Sequence, residues 1–289
     1  LPLFHSLAQL ANLLLPFAVG ARVVYLETLN SADLVKALSA RKITIFACVP
    51  QFFYLIHQRV MQQVAKSNVV TRLLFKTLLA VNFRLRRIGV NLGPLFFGKV
   101  HDVMGRDMRL LVTGGSKFDP AIGRDLYSLG FTILQAYGLT ETSAAATINT
   151  PDEAHIDTVG RALPGIEIKL VNDEIAIKGP IVMKGYHNRP DATADVLKDG
   201  WFYSGDLGRM DDNGRITITG RKKEMIVLAS GKNIYPEEIE AHYRKSPFVK
   251  EICVMGLADP GRPTSERLYG VVVPNMDLLR ERKIGRAHV

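Results

Sequence analysis

The spacing of apolar residues alternates between two periods along the first half of the chain. Short apolar runs, typical of buried strands, are separated by longer stretches in which apolar residues recur every three or four positions, as they do in helices. The runs that predict strands are residues 22–26, 43–49, 109–113 and 131–134. The stretches that predict helices are residues 3–15 (before a break at Pro16), 31–40, 52–64, 73–85 and 119–128. This alternation predicts a parallel sheet covered by helices on both faces.

After Pro151 the pattern changes to strict alternation of apolar and polar residues, which is typical of half-buried antiparallel strands. Residues 166–170 and 174–178 alternate in this way on either side of Asn172-Asp173, so they predict a hairpin. A further strand is predicted over residues 216–219. We therefore expect this region to be antiparallel, in the form of a small β-barrel.

A third pattern begins near Lys223. A helix opens at Pro236 with acidic residues in its first turn, and strands are predicted over residues 252–255 and 268–273. The predicted fold class is thus α/β, with a large N-terminal domain followed by an incomplete α+β C-terminal domain. The expected segments are an α/β part (1–150), a β-rich part (151–222), a truncated C-terminal domain (223–283) and a non-native tail (284–289).

Composition and charge narrow the class of protein. The chain of 289 residues is 47% hydrophobic and 22% charged, as a soluble globular protein is and a disordered one is not. Its formal charge of +9 is concentrated between Arg59 and Arg109, where ten Lys or Arg occur with only two Asp. Such a block is either a solvated helical face or a patch for anionic lipid or nucleic acid, and we interpret it as a solvated face.

The apolar opening of the chain is the one candidate for a membrane span. Pro16, Gly20 and Arg22 interrupt it, so we expect no span there. Peripheral membrane contact stays open as an alternative, and no nucleic-acid partner is expected. The two cysteines, Cys48 and Cys253, each lie in an apolar run, which predicts buried, reduced thiols in a cytoplasmic protein.

The candidate chemistry lies in the octet Gln135-Ala136-Tyr137-Gly138-Leu139-Thr140-Glu141-Thr142, directly after the predicted strand 131–134. Glycine allows a tight turn, which places an aromatic ring, a hydroxyl and a carboxylate together at the carboxyl end of a strand. Ligands bind at that edge in open α/β sheets, and a carboxylate can hold Mg²⁺. The alternative is an ordinary strand-to-loop turn.

A second glycine-containing turn, Gly114-Gly115-Ser116, follows the predicted strand 109–113. Paired glycines allow a flat ligand to approach the backbone closely. The chain has neither a GxxxxGK[ST] nor a GxGxxG pattern, so a P-loop and a Rossmann fingerprint are both excluded.

Three further stretches follow these two in a fixed order. They are Tyr203-Ser204-Gly205-Asp206, Gly220-Arg221-Lys222-Lys223-Glu224 and Ser230-Gly231-Lys232-Asn233-Ile234-Tyr235-Pro236. With this order and spacing the chain resembles the adenylate-forming superfamily of acyl-CoA synthetases, luciferases and nonribosomal adenylation domains. The resemblance covers residues 1–275. Each stretch is a weak signal alone, whereas the ordered set is specific.

The resemblance implies roles for the residues of the two glycine-containing turns. Tyr137 would stack on adenine with Gly114 and Gly115 beneath it, Thr140 would bind phosphate, and Glu141 would coordinate Mg²⁺. The same nucleotide-binding set includes Ser116, Gln135 and Gly138. The alternatives are a core tyrosine at position 137 and a helix N-terminal acid at position 141.

The resemblance also implies roles elsewhere in the chain. Asp206 and Arg221 would bind the ribose, and Lys223 would be the hinge about which a mobile C-terminal domain swings. Gly231 would line the tunnel for the pantetheine of CoA, and His5 would lie beside the acyl carboxylate, as a third catalytic residue with Thr140 and Glu141. The alternatives are a turn aspartate, a surface arginine, a β-turn and a core histidine.

The substrate expected from the resemblance is a fatty acid, with ATP, Mg²⁺ and CoA as the other components. The apolar side chains of residues 7–17 and the resemblance of residues 165–188 to the fatty acyl-CoA synthetase branch favour a medium or long acyl chain. Two alternatives stay open: a fatty acyl-AMP ligase that loads a carrier protein, and a non-catalytic module that binds nucleotide or a membrane surface.

The chain also departs from the family. The family's phosphate-binding loop and its catalytic lysine for adenylation have no counterpart in these 289 residues. We therefore expect that this chain alone does not make acyl-CoA at a useful rate.

Overall fold

The structure is a computed structural model that describes residues 3–27, 31–151, 156–228, 230, 232–244, 246–259 and 262–281. Its helices are α1 (Ser6–Gln9), α2 (Leu15–Ala18), α3 (Ser31–Ala40), α4 (Pro50–Ala65), α5 (Val69–Arg86), α6 (Gly93–Phe96), α7 (Gly98–Met104), α8 (Pro120–Ser128), α9 (Pro190–Val196), α10 (Pro236–Tyr243) and α11 (Met276–Glu281). A π-helical turn covers Leu10–Leu14, and 3₁₀ turns cover Thr140–Thr142 and Lys222–Glu224. Gly231 and the predicted tail, residues 284–289, lie outside the described residues.

The strands differ widely in length, from 2 to 13 residues. They are β1 (Ile45–Cys48), β2 (Leu110–Thr113), β3 (Thr132–Tyr137), β4 (Thr147–Ile148), β5 (Arg161–Ala162), β6 (Glu167–Val171), β7 (Glu174–Lys178), β8 (Leu197–Lys198), β9 (Trp201–Met210), β10 (Ile216–Arg221), β11 (Ile226–Val227), β12 (Asn233–Ile234), β13 (Val249–Asp259) and β14 (Arg262–Pro274).

The chain divides into two compact units. Unit 1 comprises Leu1–Lys169, Ala176–Phe202 and Met210–Thr217. Unit 2 comprises Leu170–Ile175, Tyr203–Arg209 and Ile218–Val289. Three of the predicted stretches therefore belong to unit 2, whereas the two glycine-containing turns belong to unit 1.

The first sheet of unit 1 has the strand order β1-β2-β3-β4-β5. β1, β2 and β3 are parallel, and β4 and β5 continue the sheet in antiparallel fashion. Thr113, the last residue of β2, is in register with Cys48 of β1 and Gln135 of β3. The carboxyl ends of the parallel strands therefore lie at one edge of the sheet, as the alternation of the sequence predicts.

Two predictions for unit 1 are wrong in detail. Residues 22–26, predicted as a strand, have no regular secondary structure, because a run of β-formers becomes a strand only beside a partner edge. The predicted helix break at Pro16 does not occur. Pro16 lies in the first turn of α2, where a residue without a backbone N–H costs the helix no hydrogen bond. β3 runs on to Tyr137, so the first three residues of the octet belong to the strand.

The core of unit 1 is built from aromatic and aliphatic side chains of the helices and of the first sheet. Phe53, Leu111 and Phe131 are fully or almost fully buried in it. The ring of His101 stacks on that of Phe131 with the centroids 4.4 Å apart, and its Nε2 lies 2.8 Å from the carbonyl oxygen of Leu129. Burial lowers the pKa of His101, so this imidazole is a neutral core group.

The basic block of residues 59–109 is not entirely the solvated face that its composition suggests. The guanidinium of Arg86 donates to the carbonyl oxygens of Tyr127 and Phe131, at 2.6 and 2.7 Å. It also lies 3.6 Å from the centroid of the Tyr127 ring. Burial lowers the pKa of Arg86, and this cation ties α5 to α8 and β3.

The second sheet has the order β10-β9-β7-β6, with β8 paired to β9. The hairpin of β6 and β7 forms where the alternating pattern predicts it. Its turn residues Asn172 and Asp173 have φ values of 51° and 65°, as a type I′ turn requires of both central residues. Together with the parallel first sheet, these strands confirm the predicted α/β class.

Unit 2 ends in a smaller α+β arrangement. β13 and β14 form a long antiparallel pair, and α10 begins at Pro236 as predicted. A small core of Ile226, Ile252 and Val254 lies beneath them. The carboxylate of Glu240, in α10, accepts a hydrogen bond from the backbone N–H of Val254 at 2.9 Å.

The structure can be compared with the predictions for the two cysteines and for the apolar start of the chain. Cys48 is half-buried, and burial raises the pKa of its thiol. Cys253 is exposed, so the prediction of burial is wrong there, because alternate side chains of β13 point to opposite faces. Both thiols are free. None of the helices in the described part of the chain is long and apolar enough to cross a membrane.

Candidate functional site

The ends of β2 and β3 in unit 1 lie side by side and carry the two glycine-containing turns. A Cβ on Gly114 would lie 2.9 Å from the carbonyl oxygen of Ala136, so only glycine lets these two backbones approach so closely. Gly115 has a φ of +82°, in the left-handed region that favours glycine, and Ser116 is exposed. The turn therefore presents bare backbone at the edge of the sheet.

Gln135 is buried and its side chain serves the fold. Its amide nitrogen Nε2 donates to the carbonyl oxygen of Ile156, and its backbone N–H donates to Oδ1 of Asn149 at 2.9 Å. The neighbouring residue in β2, Thr113, has a buried hydroxyl without a hydrogen-bond partner among the described residues. A buried hydroxyl of this kind suits a site that receives a polar ligand.

The octet turns sharply after β3. A Cβ on Gly138 would lie 2.4 Å from the carbonyl oxygen of Ala144, and Ser143 has a left-handed φ of 52°. The hydroxyl of Thr142 accepts from the backbone N–H of Leu139 at 2.9 Å and closes the turn. Outside this closed turn, Thr140 is exposed, and Tyr137 and Glu141 are half-buried.

Replacing Gly138 by alanine is expected to destabilise unit 1 by about 1–3 kcal/mol, because the added methyl group meets backbone atoms that cannot move aside. Urea unfolding followed by circular dichroism measures the change. Gly270→Ala is the matched control, since its Cβ would meet nothing within 4 Å. Equal stability of the two variants would contradict the close approach at Gly138.

Glu141 is held by Met183 and Tyr186, to which the sequence analysis gave no role. Its Oε1 accepts a hydrogen bond from the hydroxyl of Tyr186 at 2.9 Å, and its carbonyl oxygen accepts from the backbone N–H of Met183 at 2.8 Å. Burial, followed by the bond to Glu141 and its charge, raises the pKa of Tyr186, so the phenol is neutral and donates at physiological pH. Because 45 residues separate Tyr186 from Glu141, no local pattern could reveal the pair.

The carboxylates in the described part of the chain do not form a complete metal site. Within the described residues no group of three or more His, Cys, Asp or Glu could hold a metal ion. Mg²⁺ bound with a nucleotide needs only one or two carboxylates, because phosphate oxygens and water supply the other ligands. The single carboxylate of Glu141 therefore fits magnesium that arrives with a nucleotide.

Asp206 and Arg221 form an ion pair in unit 2. Nε of Arg221 lies 3.2 Å from Oδ1 of Asp206, whose side chain is 7% exposed while that of Arg221 is 55% exposed. The structure thus brings these two predicted residues together. Asp206 lies within β9, a strand that the sequence analysis did not predict.

The buried carboxylate of Glu174, in β7, holds the backbone next to Asp206. It accepts from the backbone N–H of Gly205 at 3.0 Å and from the ammonium group of Lys222 at 2.8 Å. Gly205 has a φ of +74° and immediately precedes Asp206. Glu174 therefore sets the backbone from which Asp206 projects, although the alternating pattern of β7 gives it no special signal.

Glu174→Ala is expected to lower the free energy of unfolding of unit 2 by about 2–3 kcal/mol, because it leaves the N–H of Gly205 without its acceptor. Lys222→Ala is expected to cost less than about 1 kcal/mol, since the ammonium group is largely exposed. Urea titration of both variants measures the difference. A larger loss for Lys222→Ala than for Glu174→Ala would contradict this ranking.

Two further residues with predicted roles, His5 and Lys223, lie at short helical segments. His5 caps α1, where its Nδ1 accepts from the backbone N–H of Leu7 at 3.2 Å. Lys223 is exposed in the 3₁₀ turn that follows β10. Gly231, which also has a predicted role, lies outside the described residues.

The family of the chain follows from comparison with known proteins. The AMP-binding enzyme family matches residues 1–187, which is more than half of the chain. The chain therefore belongs to the AMP-binding enzyme family, and the resemblance to adenylate-forming enzymes is confirmed.

Curated relatives and solved structures agree with this assignment. The chain is 32% identical over 272 residues to the long-chain-fatty-acid–CoA ligase FadD15 of Mycobacterium bovis, covering 90% of this chain and 45% of that protein. It is similar in fold to o-succinylbenzoate CoA synthetase of Bacillus subtilis in complex with the acyl-adenylate intermediate OSB-AMP. That match has a TM-score of 0.72 and 23% identity, and it covers 100% of this chain and 54% of that one.

A further solved structure is ATP-bound MatB of Rhodopseudomonas palustris. It has a TM-score of 0.70 and 25% identity over 96% of this chain and 49% of that one. The chain thus spans about half the length of the proteins that it matches.

Proposed function

We propose that the protein carrying this chain is an AMP-forming ligase that activates a long-chain fatty acid with ATP and transfers the acyl group to CoA. The observation that carries the proposal is the turn after β3, where Tyr137, Thr140 and Glu141 follow one another at the carboxyl end of a strand in a chain of the AMP-binding family. The name of the relative FadD15 supports a long-chain fatty acid as substrate.

Unit 1 supplies the groups for the adenine ring, the phosphates and the metal. The bare backbone of Gly114 and Gly115 and the ring of Tyr137 suit a flat base, and the exposed hydroxyl of Thr140 suits a phosphate oxygen. Glu141 suits magnesium that arrives with ATP. When bound, Mg²⁺ offsets the negative charge that would otherwise keep the acyl carboxylate from the phosphates.

We propose that two residues of unit 2, Asp206 and Arg221, bind a ribose. The buried carboxylate of Asp206 can accept from two ribose hydroxyls, and Nε of Arg221 lies 3.2 Å from its Oδ1. Lys223 is exposed and lies two residues after Arg221, which suits a hinge, and we propose that residues 223–283 belong to a mobile C-terminal domain.

The proposed reaction has two steps. A carboxylate oxygen of the fatty acid attacks the α-phosphorus of ATP, and the bond to pyrophosphate breaks to give an acyl-adenylate and pyrophosphate. The thiol of CoA then loses its proton, its sulfur attacks the acyl carbon, and AMP leaves with the electron pair of the broken bond. In the first step, Thr140 would hold a phosphate oxygen, and Glu141 would hold the magnesium ion that offsets the phosphate charge.

The experiment is to incubate the protein that carries this chain with ATP, Mg²⁺, palmitate and CoA, and to measure pyrophosphate and thioester. The proposal expects pyrophosphate release that depends on palmitate and a palmitoyl thioester that depends on CoA. Thioester formation on a carrier protein but not on CoA would contradict the acceptor. The absence of palmitate-dependent pyrophosphate would contradict the ligase.

We also propose a peripheral membrane contact through the start of α5. Val69, Val70, Leu73 and Leu74 are between 55 and 75% exposed there, and Arg72 and Lys76 lie on the same helix. Apolar side chains flanked by cations suit an anionic bilayer surface. Sedimentation with vesicles of phosphatidylglycerol should carry the chain down and should weaken with added salt, whereas Leu73→Asp should abolish it. Equal sedimentation of Leu73→Asp would contradict this contact.

A further inference from the structure

Residues 181–186 hold the turn that carries Glu141. Three hydrogen bonds join the two within unit 1. The backbone N–H of Met183 donates to the carbonyl oxygen of Glu141 at 2.8 Å, and the hydroxyl of Ser143 donates to the carbonyl oxygen of Ile181 at 2.9 Å. The third is the bond from the Tyr186 hydroxyl to Oε1 of Glu141, at 2.9 Å.

The position of Tyr186 is itself fixed by α9. Its backbone N–H donates to the hydroxyl of Thr193 at 2.9 Å, and its carbonyl oxygen accepts from the N–H of Arg189 at 3.2 Å. A Cβ on Gly185 would lie 2.9 Å from the methyl group of Thr193, so the backbone before Tyr186 packs tightly on the helix. The phenol is therefore presented to Glu141 by a rigid element, although 36% of the residue is exposed.

The two oxygens of the Glu141 carboxylate have different surroundings. Oε1 accepts from Tyr186, whereas Oε2 has no hydrogen bond from the described part of the chain. A donor to one oxygen restricts the rotation of a carboxylate, so the second oxygen is held near one position for a cation. A carboxylate without that donor loses freedom when the cation binds, which weakens the binding.

We propose that Tyr186 is a positioning residue that fixes the carboxylate of Glu141 so that one oxygen coordinates nucleotide-bound magnesium. This inference rests on the proposed function, because it needs Glu141 to meet magnesium brought by ATP. Tyr186 acts through Glu141 and touches neither the substrate nor the metal. The role differs from a packing role because it must vanish when magnesium or the Glu141 carboxylate is removed.

The test measures ATP binding to the 289-residue chain by isothermal titration calorimetry, with Mg²⁺ and with EDTA. The variants are Tyr186→Phe, Glu141→Gln and the double variant. Tyr186→Phe should raise the Kd for ATP with Mg²⁺ about fivefold and leave the Kd in EDTA within about twofold. In the Glu141→Gln background, Tyr186→Phe should change neither value, because the carboxylate through which it acts is gone.

The matched control is Tyr25→Phe, which removes a hydroxyl that donates to the carbonyl oxygen of Asn12. It should bind ATP as the wild type does, and both phenylalanine variants should melt within about 2 °C of the wild type. An equal effect of Tyr186→Phe in EDTA and in Mg²⁺, its persistence in the Glu141→Gln background, or no effect at all would overturn the inference while leaving the proposed function intact. Wild-type binding that does not respond to Mg²⁺ would instead overturn the role of Glu141, and the inference with it.

Discussion

In the protein that carries this chain, replacing Glu141 by glutamine is expected to raise the Mg²⁺ concentration needed for half-maximal pyrophosphate release by about 10–100-fold. The amide is neutral, so it loses the charge that attracts the metal while keeping the size of the side chain. The measurement is the Mg²⁺ concentration that gives half of the maximal pyrophosphate rate, with palmitate and ATP saturating.

The fold should survive this change. The bond from Met183 goes to the backbone of residue 141, and an amide oxygen can still accept from Tyr186. Glu167→Gln, an exposed position in β6 of the same unit, is the matched control and should leave the Mg²⁺ response unchanged. An unchanged response in Glu141→Gln, with an unchanged melting temperature, would remove Glu141 from the metal site.

Replacing Asp206 by alanine is expected to weaken AMP binding by about 100-fold or more. Two hydroxyl donors to a buried carboxylate contribute about 1.5–3 kcal/mol each, and alanine removes both acceptors. The measurement is the Kd of AMP by calorimetry, in the absence of metal, so that the result is independent of Glu141.

The controls for Asp206 separate ribose binding from folding. The partner Arg221 is 55% exposed, so loss of the ion pair should cost little stability. Asp212→Ala, at an exposed turn, should bind AMP as the wild type does. Adenine, which has no ribose, should bind Asp206→Ala and wild type equally. A similar loss of affinity for adenine would contradict a role confined to the ribose.

The sequence predicts those parts of the fold that depend on local chemistry. The hairpin of β6 and β7 follows from alternation around Asn172-Asp173, and α8 begins where Asp119 can cap it with a bond to the N–H of Ala121 at 2.7 Å. The parallel order of β1, β2 and β3 follows from the alternation of strands and helices. The hairpin and the start of α8 are each specified by neighbouring residues.

Other features depend on residues distant in sequence, and these could not be predicted. Residues 22–26 have strand-forming side chains but no partner strand in the described chain. The charge count places Arg86 on a solvated face, whereas carbonyl oxygens more than 40 residues away draw it inward.

The candidate site shows the same division. The two glycine-containing turns could be found from sequence because glycine marks close approach and tight turns. Tyr186 and Glu174 could not, since each acts through a contact made only when distant strands and loops meet. The resemblance to a family supplied the predicted roles of Tyr137, Asp206 and Arg221, and those roles stay predictions.

The two turns at the ends of β2 and β3 are proposed to bind an adenine nucleotide, and the other proposed roles depend on this binding. Hydrogen–deuterium exchange of the 289-residue chain with and without AMP tests it directly, because most amides in residues 114–118 and 138–141 lie outside the sheet ladder and should exchange readily. We expect AMP to slow exchange in both segments and cytidine monophosphate to leave it unchanged. Unchanged exchange in both segments at an AMP concentration that saturates binding would contradict it.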